Sequence, residues 1–343
     1  MESMREADSV TVLDTGSEDE TASLLRSLGA AVFEEKIEPW RFDTARNRSL
    51  ELVPEEAEVC VCTDLDEVFR PGWRAALERA WVPGTTRARY RYTWSFTPEG
   101  REGVVFYIEK AHSRHGWRWT HPVHEILHWE GTGETKTVTA EGVQLDHHAD
   151  EQKSRAQYLP LLELSVREDP EDDRNMHYLG REYMFCRRWD DCIRTLTRHL
   201  AMPTATWRDE RCASLRFLAR AYRAKGDAPA AESALLRAAA EAPWLREPWV
   251  ELAAEYYRRE DWEGVCFCTE RALAIKERGA SYICEPESWG ALPHDLRSIG
   301  LYKTGRLREA RDEARLALAL APEDERIAAN IRYFDSVLPD AEA

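Results

Sequence analysis

The chain has 343 residues, enough for two domains with a core in each. It carries 47 Lys and Arg against 63 Asp and Glu, a formal charge of −16. That balance argues against a general nucleic-acid binder and leaves room for a local basic pocket that takes a diphosphate. No apolar run approaches the ~20 residues of a bilayer span, and the opening MESMREADSV lacks the apolar stretch of a signal peptide.

The first 70 residues alternate strand and helix. Residues 9–13 read as a short apolar strand, and Asp14, Thr15 and Gly16 as a turn. Ser17 and Glu20 have the spacing of a capping box, which opens a helix over 18–28 that stops at Gly29. A second strand is expected over 30–33. A second helix follows over 43–52, with Asp43 as its N-cap. Residues 58–63, EVCVCT, read as a strand covered on both faces. This β-α-β-α-β order predicts a parallel sheet, with ligands beyond the carboxyl ends of its strands. Cys60 and Cys62, like the other six cysteines, lack zinc-site spacing and read as the reduced thiols of a cytoplasmic protein.

Asp64 and Asp66 follow that third strand. Residues i and i+2 at a strand end point the same way, so both carboxylates are expected to face one site. Two hard oxygen ligands suit Mg²⁺ or Mn²⁺ and leave positions open for a diphosphate. Residues 89–96 alternate, with Tyr90, Tyr92, Trp94 and Phe96 on one face: a sugar platform or sheet core. A turn at Pro98-Glu99-Gly100 returns the chain along a strand at 103–110, and a further strand is expected over 136–147. Lys110, His112 and Arg114 read as a phosphate site or a solvated edge. Between these strands lies GWRWTHPVHEIL, residues 116–127. Its His121, His124 and Glu125 are not a zincin motif, because the order is wrong and Pro122 disfavours the helix.

From about 151 the pattern is helical, and a repeat appears. Ala219, Tyr222, Gly226, Ala231 and Ala238 fall at the small and aromatic positions of a 34-residue unit. Trp249, Leu252, Ala253, Tyr256 and Ala272 occupy the same positions of the next. Gly305, Ala310 and Ala317 mark another, and Gly180, Tyr183 and Cys192 a weaker first one. Small residues let the two helices of a hairpin approach, and each hairpin buries its apolar face only against its neighbours. The spacing predicts a tetratricopeptide (TPR) array.

The stretches VTVLDTGSEDET (10–21), WRFDTARNRSL (40–50) and VCTDLDEVFRPGW (61–73) resemble successive motifs of glycosyltransferase family 2. The whole chain resembles the bacterial family-2 transferases fused to TPR arrays. The resemblance implies an α/β domain of GT-A (Rossmann-like) type with a mixed sheet over 1–150, followed by an all-α TPR solenoid over 151–343. It implies that Asp14 binds the nucleotide base, with Thr15, Gly16 and Ser17 shaping the turn and Arg46 and Asn47 lining the pocket. Asp64 would contact the sugar or ribose. Asp66 would bind Mn or Mg, with His147 or His148 as a further metal ligand, and Glu125 would act as general base. Read without the resemblance, Asp14 is equally a turn cap, Arg46 a surface helix residue and Glu125 part of a structural polar cluster.

The resemblance further implies inverting, metal-dependent hexosyl transfer from a nucleotide sugar, a UDP-sugar first, to a protein, peptide or glycan acceptor in the TPR groove. The opening strand of the family's domain is missing here, which is expected to expose a sheet edge and weaken nucleotide contacts. The alternative is therefore a catalytically impaired transferase-like protein that acts as a TPR peptide-binding module. A nucleotidyltransferase fits D-x-D but lacks the glycine-rich, lysine-containing phosphate loop.

Overall fold

A computed structural model describes residues 1–97, 100–149 and 158–338. The expected turn at Pro98-Glu99 and the expected boundary at 150/151 lie outside them. The chain divides into two compact units, Met1–Pro170 and Glu171–Ala343.

The first unit opens with β1 (Thr11–Asp14), α1 (Thr21–Ser27), β2 (Ala31–Glu34) and α2 (Phe42–Glu51), then β3 (Val59–Val61), β4 (Glu67–Phe69) and α3 (Trp73–Ala80). Next come β5 (Arg87–Thr93), β6 (Val105–Ser113), β7 (Trp117–Thr120), β8 (Ile126–Trp129), β9 (Thr137–His147) and α4 (Tyr158–Glu168). β1 and β2 pair in parallel as the βαβ order predicts, but they form a sheet of their own. β3 does not extend that parallel sheet. It pairs antiparallel with β6, at the edge of a five-stranded mixed sheet ordered β3-β6-β5-β9-β4 in which β5 and β9 run parallel. Among the described residues β1 has β2 as its sole sheet partner, and β3 has β6.

Two local expectations fail for a visible reason. The capping box does not form, because Asp14 Oδ1 takes the backbone amides of Gly16 and Ser17 at 2.9 and 2.8 Å. The helix therefore starts at Thr21. Asp43 lies inside the first turn of α2, paired with Arg41, and is not the N-cap. The alternation over 89–93 is core on one face: Tyr90 and Tyr92 are buried with Phe69, Trp73 and Leu145 under α3. Trp94 lies beyond the end of β5 and is exposed.

The second unit stacks helical hairpins: α5 (Asp173–Phe185) with α6 (Trp189–Ala201), α7 (Arg208–Ala224) with α8 (Ala228–Glu241), α9 (Glu247–Arg258) with α10 (Trp262–Ala274). After an insertion at 275–291 come α11 (Leu292–Lys303) with α12 (Leu307–Leu320), and α13 (Glu325–Val337). This is the TPR-like solenoid that the spacing predicts. Tyr222 and Tyr256, one 34-residue period apart, each give their carbonyl to the amide five residues on, of Asp227 and Asp261. Each of those aspartates caps the next helix through the amide three residues on. Gly180 is small because a Cβ there would meet Leu196 Cδ2 at 2.2 Å, where α5 and α6 cross. The first helices of the hairpins, α5, α7, α9 and α11, each touch the next.

His112 in β6 is buried against Trp117 and Trp119. Burial, with Arg114 and Arg87 nearby, pushes its imidazolium from the ordinary 6.5 down to about 4. The unfolded chain thus takes up this proton at higher pH than the native one, so the stability His112 confers is present above pH 6.5 and lost toward pH 4. The loss is on the order of 3 kcal/mol. Melting temperatures measured across that window should fall less steeply for His112→Gln than for the parent chain; equal slopes would contradict the assignment.

Candidate functional site

The D-x-D loop between β3 and β4 sits over a buried ion network. Arg46, from α2, donates from Nη2 to Asp64 Oδ1 at 2.8 Å and from Nε to Glu125, and its Nη1 reaches Cys62 Sγ at 3.3 Å. Lys110, from β6, donates to Asp64 Oδ2 at 3.1 Å and to Glu67 Oε1 at 2.6 Å. Glu67 also accepts from Tyr92 Oη and from the Asp64 amide, both at 2.8 Å. Both oxygens of Asp64 are thus held by cations. Burial opposes its charge, but Lys110 and Arg46 outweigh it and keep the carboxyl well below the usual range. Burial likewise opposes the charges of Arg46 and Lys110, and their carboxylate partners hold both above their ordinary values.

Glu125, the expected base, comes from the loop between β7 and β8, where His121 and His124 take left-handed backbone. Its side chain is only 10% exposed and is ion-paired to Arg46. Arg46 is therefore no surface residue; it packs over the Trp119 ring at 5.1 Å and joins two carboxylates. Asn47 pairs with the backbone of Trp119 in both directions, at 2.8 Å each. That pairing fixes β7 on α2. Lys110, His112 and Arg114 are not a solvated edge: Lys110 and His112 are engaged as above, and Arg114 donates to Val53 O at 2.9 Å.

Asp14 is both things the sequence allows. Its Oδ1 caps the turn through Gly16 and Ser17, and those two amides hold its carboxyl below the usual range. Its Oδ2 is buried with no hydrogen-bond partner among the described residues. Thr15 is half-buried, and Gly16 and Ser17 are exposed. Of the metal-ligand candidates, Asp66 Oδ2 faces His147 Nε2 at 3.5 Å, while His147 Nδ1 lies 2.9 Å from Trp94 O and its ring stacks on Trp94. His148 turns its ring onto Phe96 instead, while its backbone amide donates to Asp66 O at 2.7 Å. The donor set Asp66 and His147 suits a divalent cation with open positions.

Sequence reasoning missed Glu67 and the role of Lys110. It also missed a second site, where the insertion after α10 folds back across the first helices. Tyr282 stacks on Tyr178 of α5, meets the Trp207 ring edge-on, and donates to Glu210 Oε2 at 2.5 Å. Glu285 accepts both oxygens' bonds from Arg220 Nη2, at 3.0 and 2.7 Å, and ion-pairs with Arg216 at 2.9 Å. Both arginines also reach Glu251 of α9. Trp289 donates to Glu247 at 3.0 Å, and Arg246 lies 4.0 Å above its ring. Arg216 is 1% exposed. Burial opposes its charge, and Glu251, Glu285 and Glu247 hold it above the ordinary arginine value.

No family profile matches the chain, and no curated protein matches it. Solved structures do. The crystal structure of MamA is 17% identical, covering 49% of this chain and 89% of that one, with a TM-score of 0.39. TTC0263, a thermophilic TPR protein of Thermus thermophilus, is 19% identical over 52% of this chain and 89% of that one, at 0.37. Yeast Tom70 is 13% identical over 54% and 37%, at 0.40. Among the described residues no helix is long and apolar enough to cross a membrane.

The ion network gives a direct test. Glu67 has a side chain 1% exposed, so Lys110→Met strands a buried charge. The expected cost is about 3–5 kcal/mol. Lys110→Met with Glu67→Gln should recover most of it in a double-mutant cycle by denaturant titration. Additive losses would mean the two groups do not interact.

Proposed function

We propose that this chain is a binding protein: a TPR-like array that takes a short segment of a protein partner along its first helices, joined to a transferase-like sheet domain whose carboxylates are neutralised from within. One observation carries the reading. The array already holds a short segment of its own, the turn at 281–285, by an aromatic side chain stacked on Tyr178 and a carboxylate clamped by Arg216 and Arg220. The preferred partner segment therefore has an aromatic residue followed, three positions later, by Glu or Asp. Peptide ligands held by a few such anchors are what repeat surfaces accommodate. The sheet domain adds support of the opposite kind. A general base needs a lone pair free to take a proton. One oxygen of Glu125 is committed to Arg46, and both oxygens of Asp64 are held by cations.

A second reading, metal-dependent glycosyl transfer from a nucleotide sugar, is favoured by Asp14 Oδ2, a buried acceptor suited to a base N–H. Asp66 with His147 would hold the Mn²⁺ or Mg²⁺, which when bound stabilises charge on a departing diphosphate. Arg46 and Lys110 would then have to exchange carboxylates for phosphate.

The test is fluorescence anisotropy with a labelled peptide of residues 279–287. Tyr282→Ala with Glu285→Ala should bind it, the parent chain should bind it more weakly because its own segment competes, and adding Arg220→Gln should abolish binding. A folded double variant that binds no better than the parent contradicts the reading. Turnover of a UDP-sugar with Mn²⁺, lost in Asp66→Asn, would instead establish the second.

A further inference from the structure

Three buried ligating side chains meet in the second unit, from three different helices: His177 of α5, His199 of α6 and Glu210 of α7. Their ligand atoms all lie within 4.8 Å of one another. The geometry points to a divalent-metal site of zinc type at this cluster, independent of the sheet domain and of its function.

Ser214 organises it. Its Oγ lies 2.7 Å from His177 Nδ1 and 3.0 Å from His199 Nδ1, so both rings rest the same nitrogen on one hydroxyl. A hydroxyl oxygen has two lone pairs and can accept from both Nδ1–H groups. In that tautomer each Nε2 carries a lone pair, the state a metal requires, and Ser214 is the outer-shell partner that fixes both rings. His199 Nε2 and Glu210 Oε1 stand 3.6 Å apart, too far for a hydrogen bond. Two ligands of a tetrahedral ion, each about 2.0–2.1 Å from it, sit about 3.3 Å apart. The His199–Glu210 gap needs only a small closure, and His177 closes on them from within the 4.8 Å cluster. The other oxygen of Glu210 is oriented by Tyr282 Oη at 2.5 Å. Two imidazoles and one carboxylate are a zinc or cobalt donor set. The competing arrangement, with Ser214 donating to the His199 ring, leaves the His199 Nε2–H facing Glu210 across a 3.6 Å gap that forms no hydrogen bond. Burying such a donor unpaired is costly.

The site joins consecutive hairpins, α5 with α6 and then α7. Metal there would lock the first two repeats and, through Glu210 and Tyr282, the segment lying across them.

The experiment uses the full chain carrying Asp66→Asn, so that the pair with His147 contributes nothing, stripped with chelator and titrated with Co²⁺ and then Zn²⁺. The expected result is one Co²⁺ per chain with visible ligand-field bands and no thiolate charge-transfer band, displaced by Zn²⁺, and a melting temperature that rises with metal. Ser214→Ala should weaken affinity about 10-fold, in the ~10–100-fold range of outer-shell changes, and Glu210→Gln and His199→Gln more. The spectrum of the Asp66→Asn chain itself decides the matter even if a further variant misfolds. No bound equivalent in the Asp66→Asn background, a thiolate band, or unchanged affinity in a folded His199→Gln chain would each overturn the proposal.

Discussion

The guanidinium of Arg216 is the constraint around which the helical unit is arranged. It is 1% exposed, and a cation so placed must be matched by carboxylates or the fold loses several kcal/mol. One carboxylate, Glu251, comes from the next hairpin. The other, Glu285, comes from a segment that no repeat pattern requires. Residues 281–285, drawn across the first helices, thus supply one of the carboxylates around the buried arginine. On the proposed reading, this surface, with an aromatic shelf at Tyr178 beside the arginines, favours a segment that supplies both an aromatic side chain and a carboxylate.

The same logic governs the sheet unit with a different outcome. Arg46 and Lys110 are also largely buried cations, and they take their counter-charges from Asp64, Glu67 and Glu125. These are the residue types that the glycosyltransferase resemblance assigns to donor and base. Asp64 is held between Arg46 and Lys110, Glu67 by Lys110 and Tyr92, and Glu125 through Oε1 by Arg46. Asp14 and the Asp66–His147 pair stand outside the network.

Much of the fold was legible locally. Tyr90 and Tyr92 alternate because one face of β5 is core, and the small residues at Gly180, Ala231 and Ala253 recur because hairpin helices touch there. What local patterns could not carry is the choice between competing local partners and the pairing of distant ones. The capping box lost to an aspartate three residues upstream that captured the Ser17 amide. The third strand left the parallel sheet because its partner, β6, lies some fifty residues on. The D-x-D position was readable from its place after an apolar strand, but Lys110, which neutralises it, arrives from another strand. Residues 275–291 fall outside the repeat spacing, and their contacts, Tyr282 on α5 and α7 and Glu285 on α7, are made with distant helices. The convergence of His177, His199 and Glu210 is equally invisible without the turns that bring α5, α6 and α7 together.

Hydrogen exchange over residues 275–291 tests the central claim most directly. If the segment is a ligand held by its carboxylate and its aromatic ring, its amides exchange slowly in the parent chain. They should exchange fast in Glu285→Ala, while the amides within α5, α7 and α9 stay protected. Fast exchange of the segment in the parent chain, or protection that persists in Glu285→Ala, would contradict the account.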